Sequence, residues 1–132
     1  MDWITPSVAL GGIVDLPTAV RYPVTAVLSL VVVPSGEVPP DIDHLVVPLA
    51  DGAGNHPSDV KRAVRFACDF LRDEEPLFIH CHAGRSRSVV VLAMALMRQH
   101  RISRAEAMNL IARRRQIGLT PGIEDMFRFA DV

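Results

Sequence analysis

A single α/β domain over residues 1–132, with a central, mostly parallel twisted sheet flanked by helices, is the architecture predicted, and three observations predict it. Strand-like apolar runs alternate with segments of helical periodicity along the chain. One run, Leu77 to His80, reads as a continuous apolar strand central to the sheet. Directly beyond it, Ser88 to Arg98 is apolar on every side, the mark of a helix buried all round.

The elements follow in order. Val8-Ala9-Leu10 reads as a strand, and Val24 to Val33 as a second, β-branched and bounded by Pro23 and Pro34. Residues 34–40, Pro-rich with one Gly, form a turn region, and His44 to Leu49 is a further short strand. Val60, Ala63, Val64, Ala67, Phe70 and Leu71 recur at helical spacing behind the start signal Pro57-Ser58-Asp59. Ser103 and Glu106 form a capping box for a helix running to about Arg114. Pro121 suits the first turn of a last helix ending near Ala130.

Composition bounds the class. With 132 residues, 49% of them hydrophobic, the chain has material for one real core. Fourteen basic residues against fifteen acidic ones make no basic field, which argues against nucleic acid or an anionic membrane as an obligatory partner. The start carries Asp2 where a signal peptide needs basic residues. The longest unbroken apolar run, Val89 to Met97, is about half a membrane span, so no transmembrane segment is expected. Cys68 and Cys81 do not make a disulfide framework, and the expectation is a cytoplasmic monomer with reduced thiols.

The segment that carries chemistry is His80-Cys81-His82-Ala83-Gly84-Arg85-Ser86-Arg87-Ser88. Alone, a cysteine is usually a small core hydrophobe, and an arginine near a helix start is usually solvated. Five fixed identities at fixed spacing (His, Cys, Gly, Arg, Ser) arise by chance with a probability below roughly 10⁻³ in a chain of this length. Strand, tight loop and helix N-terminus together form a phosphate-holding geometry. Backbone N–H groups of residues 82–86 converge on one point, and the helix dipole adds positive potential there. Gly84 permits a positive φ or a close backbone approach. Arg87 can clamp two phosphate oxygens in a fork that Lys cannot imitate. The same field favours a thiolate at Cys81, ready to attack phosphorus without a separate base. Ser88 can hydrogen-bond the sulfur and ease its departure from a phosphocysteine, and His80 can brace the loop through its backbone.

This loop resembles the His-Cys, five residues, Arg-Ser/Thr signature of the cysteine-based protein tyrosine phosphatase superfamily, and within it the chain resembles a small dual-specificity phosphatase. Residues 4–12, ending in Gly11-Gly12, resemble the family's first strand and Gly-rich turn. Residues 46–51 resemble the strand leading into its acid loop, and residues 103–108 with the Arg-rich end of that helix match its usual tail. The likeness covers nearly the whole chain, but only the signature loop is highly specific. The Trp-Pro-Asp of the large tyrosine-specific enzymes is replaced by Leu49-Ala50-Asp51, as is common among the small enzymes.

The leaving oxygen needs a proton that neither Cys81 nor Arg87 supplies. Asp51 is the best candidate, thirty residues before Cys81 and flanked by Gly52 and Gly54, which would let its loop move. The resemblance assigns the general acid to this position. Asp-Gly is also a common turn pair. Asp59 is a weaker rival that suits a helix start, while Asn55 and His56 are candidates to line the cleft. Cys68 lies on the apolar stripe of its helix and reads as a buried thiol before a redox partner of Cys81. Arg113-Arg114-Arg115 reads as a solvated helix end, with a second anion site as the alternative. The five histidines lack metal-ligand spacing, and Arg87 with backbone dipoles takes the charge-stabilising role, so neither metal nor cofactor is expected.

The expected activity is hydrolysis of phosphotyrosine and phosphoserine or phosphothreonine in proteins through a cysteinyl-phosphate. The compact chain has no obvious segment to build a deep phosphotyrosine slot. Residues 83–88 also resemble the loop of phosphatases acting on phosphatidylglycerophosphate, so a phospholipid head group or an RNA 5′-triphosphate is the alternative substrate. Those loops commonly carry Lys where His82 stands. A phosphate-binding module without catalysis is the non-enzyme alternative, and an arsenate reductase or sulfurtransferase ranks last.

Overall fold

The computed structural model describes residues 1–22 and 24–130. Among these residues, five strands form one sheet: β1 (Asp2–Trp3), β2 (Val8–Gly12), β3 (Ala26–Ser29), β4 (Asp43–Val46) and β5 (Leu77–Cys81). Their order is β1-β2-β5-β3-β4, parallel throughout except for the antiparallel pair β1–β2. The helices are α1 (Leu16–Ala19), α2 (Pro57–Asp73), α3 (Arg87–His100) and α4 (Arg104–Ala112). Short 3-10 segments cover Ile13–Asp15 and Ile123–Phe129.

The pleat divides the core. Val8, Leu10, Ala26, Leu28, Leu77 and Ile79 face α2, α3 and α4, while Ala9, Val27 and Phe78 face α1. Alternate side chains of a strand point to opposite faces, so each run fills both layers. In α3 every residue from Ser88 to Leu96 is buried, as the all-round apolar segment requires. Each buried Val or Leu contributes about 1.5–3 kcal/mol relative to exposure, so α3 is fixed on all sides and its N-terminus with it.

Several elements differ from their sequence expectations, each for a local reason. The second strand runs only over Ala26–Ser29, with Leu30 still donating to the His80 carbonyl. Beyond that point β5 turns away as a loop, and the chain leaves the sheet, exposing Val32. Pro23, read as one boundary of that strand, lies outside the described residues. β4 stops at Val46; Val47 and Leu49 still bond to Ser29 and Leu30, but Pro48 between them has no donor. The capping box at Ser103 and Glu106 is present, while α4 ends at Ala112. The last segment is 3-10 over Ile123–Phe129, with Pro121 in the turn before it and Gly122 at φ +90°. The two-residue β1 and four-residue α1 are too short for periodicity to register.

Because β5 lies between β2 and β3, its carboxyl end opens into a crevice between flanking strands. Open α/β sheets place their ligands there.

Candidate active site

β5 delivers Cys81 to the carboxyl end of the sheet, and the chain curls through residues 82–86 into the N-terminus of α3. Gly84 makes the curl possible. Its φ is +72°, and a Cβ there would lie 2.3 Å from the Gly11 carbonyl carbon and 2.6 Å from Arg115 Nη2. Gly12 also approaches closely, since a Cβ there would meet the His82 oxygen at 2.7 Å. The Ile13 N–H, 3.0 Å from that oxygen, ties the end of β2 to the loop.

Cys81 is buried beneath the loop, with the Ser88 hydroxyl 3.3 Å from its sulfur and the Gly84 N–H donating at 3.2 Å. Burial pushes the thiol up. The Ser88 hydroxyl, the Ser88 and Gly84 backbone N–H groups and the Arg87 charge outweigh it, and Cys81 titrates below its ordinary range. Ser86 caps α3 without a side-chain bond to the helix; its hydroxyl instead accepts the Thr120 N–H. Arg87 donates from Nη1 to the Leu49 carbonyl at 3.1 Å, and its Nε is buried with no partner among the described residues. An unpaired buried donor carries a desolvation cost of about 1–3 kcal/mol, which an anion bound beside the sulfur would relieve.

His80 sits beneath the loop, fully buried and stacked on Phe78. Its Nδ1 lies 3.2 Å from the Cys81 carbonyl, which can only accept, so Nδ1 carries the proton. Nε2 therefore accepts from the Ser29 hydroxyl at 2.6 Å, and Ser29 in turn accepts from His44 Nε2 at 2.8 Å. Burial lowers both histidine pKa values and keeps the rings neutral.

Asp51, Cys81, His82, Ala83, Arg85, Ser86 and Arg87 meet around a cleft of about 160 Å³, joined by Gly118 and Thr120. No Phe, Tyr or Trp lines it among the described residues. A larger groove, bounded by Ile4, Leu71 and Leu110, lies at the opposite end of the strands and holds no cysteine. Asp51 reaches the cleft from a loop that is held rather than free. Asn55 accepts the Ala50 N–H at 2.7 Å and donates to the Ala50 carbonyl at 2.9 Å. The Asp51 carboxylate accepts from Thr120 Oγ1 at 2.7 Å.

The other candidates fall elsewhere. Asn55 braces the acid loop rather than lining the cleft, and His56 caps α2, its Nδ1 accepting from the Ser58 N–H, with Asp59 in the first turn. Cys68 is buried against α3, its thiol 3.7 Å from the Ala95 carbonyl and its pKa raised by burial. Arg113 and Arg114 are exposed, whereas Arg115 is a loop clamp. It donates to the carbonyls of Gly84 and Ala83 and pairs with Asp2 at 2.7 Å. Thr120, Asn55 and Arg115 thus complete the site without any motif of their own. Among the described residues no group of three or more His, Cys, Asp or Glu is placed to hold a metal ion.

The family model of the dual specificity phosphatase catalytic domain matches residues 17–129. The chain belongs to the dual specificity phosphatase family. This dual specificity phosphatase domain is 34% identical over 71 residues to human phosphatidylglycerophosphatase and protein-tyrosine phosphatase 1, a match covering 53% of the chain and 35% of the relative. Mouse dual specificity protein phosphatase 1 is 33% identical over 75 residues, covering 54% of the chain and 20% of the relative. The chain therefore spans well under half the length of these relatives. Human DUSP28 superposes with a TM-score of 0.84 at 22% identity, over 99% of this chain and 96% of that one. PTPMT1 in complex with PI(5)P superposes at 0.76 and 23% identity, over 97% and 92%. No helix among the described residues is long and apolar enough to cross a membrane.

Proposed function

We propose that the protein hydrolyses phosphomonoesters through a phosphocysteine at Cys81. The observation that carries this reading is the convergence of Cys81, Arg87 and Asp51 on one cleft, with the Cys81 thiol lowered in pKa and the buried Arg87 Nε without a partner among the described residues. The thiolate attacks phosphorus, the bond from phosphorus to the leaving oxygen breaks, and Asp51 gives that oxygen its proton. Arg87 and the loop N–H groups of residues 82–86 hold the equatorial oxygens, where charge is spread in the transition state. Water then attacks phosphorus and yields a proton to the Asp51 carboxylate, while the departing sulfur takes the electron pair and is stabilised by Ser88. His80 holds the Cys81 carbonyl and so the loop.

The substrate proposed is phosphotyrosine, phosphoserine or phosphothreonine on a protein. A cleft of about 160 Å³ with no aromatic lining among the described residues supports a permissive pocket rather than a deep tyrosine slot. A second reading, a phospholipid head group, is favoured by Arg85, which stands exposed on the cleft rim as a cation for a further anionic group.

Phosphate release from phosphotyrosine and phosphothreonine peptides, phosphoinositides, phosphatidylglycerophosphate and a triphosphorylated RNA tests both, with Cys81→Ser as control. The highest kcat/KM is expected on the peptides, with turnover lost in Cys81→Ser. A preference for a lipid would install the second reading. No turnover on any of them, with tight vanadate binding, would contradict hydrolysis and indicate a binding module.

A further inference from the structure

Between α4 and the last 3-10 segment, the chain runs beside the phosphate loop and is bonded to it at successive residues. Arg115 holds the carbonyls of Ala83 and Gly84, the Gly118 N–H donates to the Arg85 carbonyl at 3.0 Å, and the Thr120 N–H donates to Ser86 Oγ at 3.0 Å. Thr120 then does something the preceding residues do not. Its hydroxyl leaves the loop and donates to Asp51 Oδ2 at 2.7 Å. One residue thus bonds both to the phosphate loop and to the acid that must meet the substrate held there, across a sequence separation of 69 positions.

Resting on the function proposed above, we infer that Thr120 is a positioning residue that sets the aim of the proton donor. With the Thr120 hydroxyl donating to Oδ2, Oδ1 is the oxygen left to carry the transferable proton. Asn55 fixes the backbone of Ala50 beside it, and Thr120 restrains the Asp51 carboxyl itself. Thr120 is itself fixed, because the following Pro121 restricts it to extended backbone and its N–H is bound to Ser86. The arrangement places the donor relative to the phosphate loop directly, through one side chain. Proton transfer in the transition state depends on such placement, and its full contribution is typically about 10²–10⁴-fold.

The test compares phenyl phosphate, whose leaving group needs a proton, with an aryl phosphate whose phenol is strongly acidic. Thr120→Val removes the hydroxyl and keeps the N–H to Ser86, while Thr120→Ser keeps both. Thr120→Val is expected to lower kcat on phenyl phosphate about tenfold more than on the activated ester, with KM unchanged, as partial loss of acid catalysis requires. Thr120→Ser should restore the wild-type ratio, and Thr120→Val should add nothing in an Asp51→Asn background. Equal losses on both esters, or a loss confined to KM, would overturn the proposal and leave Thr120 as a brace of the phosphate loop. If Asp51→Asn alone shows no leaving-group-dependent loss, the acid itself is misassigned, which overturns this proposal along with that part of the mechanism. A clear effect of Asp51→Asn with none of Thr120→Val overturns only the inference about Thr120.

Discussion

A thiol buried at the end of a strand ordinarily resists ionisation, because burial penalises the charged form. At Cys81 that penalty is present and outweighed, chiefly by the Ser88 hydroxyl and then by backbone N–H groups and Arg87. The consequence is measurable. Alkylation of Cys81 by iodoacetamide should reach its midpoint below the usual thiol pKa of about 8.5, and Ser88→Ala should move that midpoint upward. An unchanged midpoint would remove Ser88 from the account. Cys68, buried with its pKa raised, should react only on unfolding and so report the fold. Residues whose partners are close in sequence were legible in advance: Cys81, Gly84, Arg87 and Ser88 belong to one short loop whose spacing is itself the signal. Thr120, Asn55 and Arg115 were not, since a lone Thr, an Asn in a turn and the third Arg of a run carry no pattern. Their roles exist only once distant carbonyls and carboxylates are brought alongside them.

At the scale of elements, strand, loop and helix act as a unit because both ends of the loop are anchored in buried structure. β5 is central in the sheet, and α3 is enclosed from Ser88 to Leu96. The loop between them packs backbone to backbone on Gly11 and Gly12 of β2. Gly84→Ala tests this packing, because the new methyl would overlap the Gly11 backbone at a φ that disfavours any Cβ. The expected outcome is a stability loss of about 1–3 kcal/mol by urea unfolding and a fall in kcat/KM of about 10² from a displaced loop. Wild-type values in both would contradict the close packing. Helix positions were readable from apolar spacing and caps, as for Ser103 and Glu106. Strand ends were less so, because the extent of β3 depends on where its neighbour β5 turns away, which Val31 to Val33 do not encode.

For the whole molecule, the order β1-β2-β5-β3-β4 brings three remote segments to the carboxyl end of the central strand. Residues 49–55 follow β4, residues 81–87 follow β5, and residues 115–120 return from α4. The sheet also carries a chain of hydrogen bonds from His44 on β4 through Ser29 on β3 to His80 on β5. Both rings are held neutral by burial. Their folded pKa values lie below the unfolded value of about 6.5, so the unfolded chain binds more protons in that window. Their contribution to stability is complete above the unfolded pKa and is lost as pH falls through the lowered folded values. The urea midpoint should therefore drop from about pH 7 to about pH 5.5, before most carboxylates titrate. A flat profile across that range would contradict a neutral His44–Ser29–His80 chain. The α/β class was legible because the alternation of strand and helix runs through the sequence. The strand order was not, since it is fixed by pairings between runs that look alike.

Hydrolysis by the proposed route passes through a covalent phosphocysteine, which can be trapped. Asp51→Asn protein, expected to be slow in the hydrolytic step, is mixed with an activated aryl phosphate, quenched in acid and mapped by mass spectrometry. A phosphoryl group on the peptide carrying Cys81, absent in Cys81→Ser, is the result predicted. Stoichiometric product release with no phosphoryl group on Cys81, or with one on another residue, would contradict it.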